Sequence, residues 1–197
     1  FPDIAGLIMA ANESPVTQCI HSGTAESVQS LVEEITKYSL DGELIYVIAV
    51  DEELPVGCFG CEFQKTGHRG WLRGPVGTYK TEAIFESMFK LLMEVIPQHV
   101  NQMEPFLNEQ NVIGRTFYEK MGFQLMGHWH VYFARRSGPV EIPVISPPYT
   151  VKPLGGALVD RFCNLHDHLF PGTSYSGGEI LSLLDDDHRV WVAVLDQ

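Results

Sequence analysis

The chain has 197 residues, 45% of them hydrophobic and 19% charged, with a formal net charge of −12. That length suits one good core, or one domain and part of another, and so acidic a surface argues against nucleic acid and anionic membrane as partners. No apolar run reaches the ~20 residues that cross a bilayer, no secretory leader is visible at Phe1, and Cys19, Cys58, Cys61 and Cys163 read as reduced thiols of a cytoplasmic protein.

Apolar residues at helical spacing predict helices over residues 4–20 and 25–38, closed by the Asp41-Gly42 turn. An apolar run at 44–50 and a β-rich run at 56–63 flank a polar turn at 51–53 and predict a hairpin. A third strand is expected at 71–76, then a long helix at 81–96 that Pro97 stops, and a short strand at 102–107. A helix follows over 108–121 and a strand over 123–135. Residues 137–148, SGPVEIPVISPP, carry four prolines and read as an extended linker. Beyond it come an expected strand at 149–154, helices at 156–169 and 178–184, and a strand at 189–195. The closing VWVAVLDQ matches IYVIAVDEE at 45–53: each is an aromatic-containing β run that ends in an acid and follows two helices. The tail therefore reads as the opening of a second copy of the first domain.

The stretch NEQNVIGRTFYEKMGF, 108–123, is the most informative. With Asn108 as N-cap and Gly122 just past the end, Ile113, Phe117 and Met121 form a core-facing stripe. Asn111, Gly114 and Tyr118 then share a second face, presenting an amide, a gap and a phenol. From the residues, two readings stay open: close packing by another helix, or a ligand against the backbone.

Asn-x-x-Gly-x-x-Phe-Tyr-Glu-Lys-x-Gly-Phe resembles the N-x-x-A-x-x-[FL]-Y-E-[KR]-x-G-F signature of the GNAT superfamily, the acyl-CoA-dependent N-acetyltransferases. The order of two helices, a three-strand meander, a long helix, a strand, this helix and a final strand resembles that fold as well. The resemblance implies an α/β domain over 1–136, lacking its first strand, whose mixed and mostly antiparallel sheet is flanked by helices. Residues 149–197 would begin a second such domain. It implies acetyl-CoA as cosubstrate, no metal, and direct acetyl transfer to a primary amine of a small cationic molecule, with a homodimer left open.

Carried over by motif, Asn111 and the face at Gly114 lie along the pantetheine arm, and Tyr118 protonates the departing thiolate. The backbone of the third strand at Leu72, Gly74 and Val76 holds the acyl carbonyl. Glu62 is the preferred general base, ahead of His68, with a water chain as the alternative. Where the family carries [QR]-x-x-G-x-[GA], this chain reads GPVGTYKTEAIF. Gly74, Gly77 and a helix N-terminus near Thr78 remain to cradle the pyrophosphate, with Lys80 and Arg73 adding charge. The rival expectation is a non-catalytic GNAT-like module that binds CoA weakly or serves as a domain interface.

Three other motifs carry less. GPVGTYKT misses the phosphate-loop pattern at Tyr79, and its acidic strand precedes the loop rather than following it. Cys58 and Cys61, three apart on a strand, point to opposite faces and do not make a zinc site. His128 and His130 share a strand face, and His166 and His168 on a helix do not converge.

Overall fold

The computed structural model describes residues 1–19, 27–65, 68–78, 82–128, 149–171, 175–185 and 188–195, and divides into two units, Phe1–His128 and Trp129–Gln197. The first begins with α1 (Pro2–Asn12), shorter than the helix expected over 4–20. Pro15 is the physical reason. It cannot donate to the carbonyl of Ala11 and would crowd it; the Thr17 hydroxyl donates to that carbonyl instead, at 2.6 Å. The chain then reaches Cys19, which forms an isolated antiparallel bridge with Leu107. Helix α2 (Val28–Leu40) starts at a capping box in which Ser27 and Ser30 exchange bonds, and buries Leu31 and Ile35.

The meander follows as β1 (Leu44–Asp51), β2 (Leu54–Phe63) and β3 (Arg69–Gly77). Glu52 and Glu53 form the first turn with φ of 46° and 72°, the doubly left-handed geometry that matches hairpin twist. Helix α3 (Glu82–Val95), strand β4 (Gln102–Pro105) and helix α4 (Val112–Lys120) complete the unit. The sheet order is β1-β2-β3-β4, antiparallel except that β4 runs parallel to β3. This is the α/β class expected from the sequence: a mixed, mostly antiparallel sheet flanked by helices. The strand expected over 123–135 is not formed in its described part, 123–128, and the rest lies outside the described residues.

Strand alternation sorts the core into two layers. Phe59, Cys61 and Phe63 of β2 pack with Leu72, Phe85, Met88, Leu92 and Phe117, on the side of α3 and α4. Cys58 packs with Ile4, Ala5, Ile8, Leu31 and Ile35, on the side of α1 and α2. The two C-x-x-C thiols therefore face opposite ways, as their odd spacing requires. On β3 the alternation breaks: Leu72 belongs to the first layer and Val76 to the second, although an even spacing should keep them together. The register slips between Cys58 and Gly60, where Gly74 and Pro75 oppose Phe59 as a bulge.

The second unit contains β5 (Tyr149–Pro153), a 3-10 turn (Gly156–Leu158), α5 (Val159–Leu169), α6 (Gly177–Ser182) and β6 (Trp191–Leu195). β5 and β6 pair antiparallel, from Tyr149 opposite Leu195 to Pro153 opposite Trp191. The linker expected at 137–148 and His130 lie outside the described residues. Among the described residues no helix is long and apolar enough to cross a membrane.

Candidate active site

β3 and β4 stay paired from Arg69 opposite Gln102 to Leu72 opposite Pro105, then separate. The separation follows from the β3 bulge. Gly74 sits at φ +133°, a conformation side chains rarely adopt, and precedes a cis bond to Pro75. A Cβ there would also meet the Cys58 carbonyl at 3.2 Å. Beyond their last pair the two parallel strands diverge, a divergence termed the notch, with the buried Gly74 carbonyl just past the point of separation.

Helix α4 aims Tyr118 at that carbonyl. Its hydroxyl donates to the Gly74 carbonyl at 2.8 Å. The ring is 3% exposed and meets Phe117, Phe123 and Phe59 edge-on, with centroids 5.3, 5.1 and 6.1 Å away. Burial pushes the phenol well above its usual pKa, with Cys19 and Cys61 adding to the effect, so its proton is retained at neutral pH.

Cys19, 1% exposed, reaches the same carbonyl with its thiol at 3.4 Å. Burial raises that thiol to about 12, against a smaller opposing pull from the Gly74 bond. Cys58 is likewise pushed up to about 12 by burial and then by Cys19. All four cysteines are free.

The α4 helix differs from its expected form in three connected ways. Asn111, not Asn108, is the N-cap: its Oδ1 accepts from the Gly114 N–H at 2.9 Å. Gly114 therefore lies in the first turn, and a Cβ on it would meet the Asn111 amide at 3.0–3.1 Å. What approaches this glycine is the chain's own cap. The buried face is Gly114, Phe117 and Tyr118, while Ile113 is 43% exposed and leaves the stripe assigned to it. Asn111 is 4% exposed, and its Nδ2 donates to the Gln18 carbonyl at 3.2 Å. Both ends of the amide are thus engaged within the protein.

The remaining expected residues scatter. Leu72 and Val76 bury their side chains in opposite layers, and Pro75 between them has no N–H to offer an acyl carbonyl. Gly77 pairs with Gly57, and the Thr78 N–H and hydroxyl both donate to the Val56 carbonyl, at 2.8 and 3.1 Å. These groups extend the β2–β3 ladder rather than line a free anion cradle. Lys80 lies outside the described residues. His68 precedes β3 at the end where β4 begins and accepts from Asn101 and Gln102 through its carbonyl. Six residues of extended chain, about 20 Å, separate it from Gly74. The structure does not bring it to the notch.

Glu62 projects to the side of α1 and α2, opposite Tyr118. It accepts from Arg73, whose other arm donates to Glu34 of α2 at 2.7 Å. Arg73 is 4% exposed and so turned away from any pyrophosphate. Burial works against its charge, but Tyr46, Glu62 and Glu34 hold its pKa above the ordinary value. The Tyr46 hydroxyl lies buried beside it without a well-formed hydrogen bond. Sequence reasoning missed Gln18, Cys19 and Glu34. Nothing within 90 residues of α4 announces that Gln18 meets Asn108 and Asn111.

No family model matches the chain, and no curated protein matches it. Among solved structures the chain is similar to a predicted acetyltransferase of Clostridium acetobutylicum solved with acetyl-CoA. That likeness has 15% identity and a TM-score of 0.48, and covers 66% of this chain and 90% of that one. It is similar also to an aminoglycoside 6'-N-acetyltransferase of Enterococcus faecium, at 18% identity, TM-score 0.41, and coverage of 64% of this chain and 78% of the other. An aminoglycoside 6'-N-acetyltransferase of Acinetobacter haemolyticus is similar at 14% identity and TM-score 0.40, covering 57% and 83%.

Proposed function

We propose that the unit Phe1–His128 is a GNAT-type N-acetyltransferase that moves acetyl from acetyl-CoA directly to a primary amine of a small cationic molecule. One observation carries this reading: a parallel strand pair separates at a bulge, and a motif tyrosine delivers its hydroxyl to the buried Gly74 carbonyl there. A thioester lying in such a notch would have its carbonyl against the β3 backbone and its sulfur near Tyr118 Oη. Attack by the amine breaks the C–S bond, and the phenol supplies the proton that the CoA thiolate takes up. The phenolate then recovers a proton from solvent, while the base removes one from the amine nitrogen. Glu62 serves as that base from the α1 and α2 side, where its carboxylate is 25% exposed. The acidic charge of the chain favours a cationic acceptor.

On the same reading the second unit is the start of another GNAT-like domain, since a strand, two helices and a strand that pairs back on the first repeat the expected opening. A specific observation favours the rival, a non-catalytic module: Asn111, Thr78 and the Gly74 carbonyl are already bonded internally. The two part in a simple assay. The full chain is incubated with acetyl-CoA and a panel of cationic primary amines, and free CoA thiol is followed. The enzyme releases CoA faster than the amine-free blank with at least one acceptor. Rates at the blank throughout the panel, with no acetyl-CoA binding by calorimetry, leave the module.

A further inference from the structure

The segment that Pro15 forces out of α1 ends between the β3 bulge at Gly74 and Leu107 beyond β4. Gln18 and Cys19 are fastened there from four sides. From the side of β4, the Asn108 N–H donates to the Gln18 carbonyl at 3.2 Å, and the Asn108 side-chain amide donates to Gln18 Oε1 at 2.9 Å. Cys19 bridges Leu107, the residue by which the β4 segment has already left β3. From α4, the Asn111 amide takes the Gln18 carbonyl as second donor. From β3, the Gly74 carbonyl accepts the Cys19 thiol beside the Tyr118 hydroxyl. Behind the segment, Asn12 at the end of α1 accepts the Cys19 N–H at 3.0 Å, while its own Nδ2 is buried without a partner.

We propose that Gln18 and Cys19 form a plug that closes the acyl end of the notch, so that acetyl-CoA enters only when they withdraw. This rests on the acetyl-CoA reading above. The plug engages the groups a cofactor would need: the Asn111 amide, and the β3 backbone at the point where Tyr118 acts. Its hold is a set of hydrogen bonds to Asn108, Asn111, Gly74 and Asn12 together with the burial of the Cys19 side chain, and a ligand that makes equivalent bonds and fills the same space competes with it. The orphaned Asn12 amide marks the seat as incompletely satisfied when closed. The plug lowers apparent affinity by the fraction of molecules that are open, without contributing to chemistry.

Two measurements on the full chain test this. Residue-resolved hydrogen exchange reads the amides of Cys19 and Asn108, which the plug protects. Saturating acetyl-CoA, with saturation set by calorimetry, should speed exchange at both by about tenfold or more. A variant combining Asn12→Ala, Gln18→Ala and Cys19→Ala, which leaves Asn111 and Tyr118 in place, should bind acetyl-CoA about tenfold more tightly than the native chain. Unchanged protection at Cys19 and Asn108 with acetyl-CoA bound overturns the plug and leaves the acetyltransferase reading standing. Failure of both native chain and variant to bind acetyl-CoA overturns the two together.

Discussion

Tyr118→Phe is expected to lower kcat by about 10²–10⁴-fold while leaving the acetyl-CoA Kd nearly unchanged, as the loss of a general acid requires. The substitution keeps the ring and its contacts with Phe59, Phe117 and Phe123, so the aromatic layer survives. It removes the hydrogen bond to the Gly74 carbonyl. That carbonyl keeps the Cys19 thiol as a donor, and the stability cost stays at about 1–2 kcal/mol. Steady-state kinetics with an acceptor found in the amine panel, paired with a denaturant melt, separate the two effects. Full turnover in the variant would mean that the thiolate is protonated by water and that Tyr118 only packs. A matching fall in kcat and in cofactor affinity would point to lost binding rather than lost proton transfer.

The second large effect concerns stability. Arg73→Met leaves Glu34 and Glu62 facing each other without the guanidinium that joins them. Removing one partner of a buried charge cluster costs about 3–5 kcal/mol. Both carboxylates retain about a quarter of their exposure, 28% and 25%, so solvent relieves part of the repulsion and the low end applies, about 3 kcal/mol. That corresponds to a Tm lower by roughly 6–12 °C for a chain of this size. Adding Glu34→Gln and Glu62→Gln to Arg73→Met should recover most of the loss, because the penalty lies in the orphaned charges. A single substitution that costs under about 1 kcal/mol would show that the cluster is solvated and that Arg73 is not its centre.

Local features of the fold were legible because short-range chemistry sets them. The odd spacing of Cys58 and Cys61 placed their thiols on opposite faces of β2. The polar turn at 51–53 marked its hairpin, and Pro97 marked the end of α3. The element order through α4 followed from these. The site was less legible because distant partners decide it. Two asparagines compete to cap α4, and the winner is the one whose amide also reaches Gln18, 93 positions earlier. The gap at Gly114 left both a packing helix and a ligand open, but the cap itself fills the space. Arg73 read as free positive charge near a phosphate loop, and α2 across the sheet supplies the carboxylate that holds it. The Gly74-Pro75 bulge reverses which face Val76 occupies, and no simple period-two count anticipates that.

The central claim is that the notch between β3 and β4 receives the thioester of acetyl-CoA beside Tyr118. A structure of the full chain with acetyl-CoA bound tests it most directly. The account predicts the thioester lying between the diverging strands, its sulfur within hydrogen-bond reach of Tyr118 Oη, and Gln18 and Cys19 withdrawn from Gly74 and Asn111. Acetyl-CoA bound elsewhere on the chain, with the Tyr118 and Cys19 bonds to Gly74 intact, would contradict it.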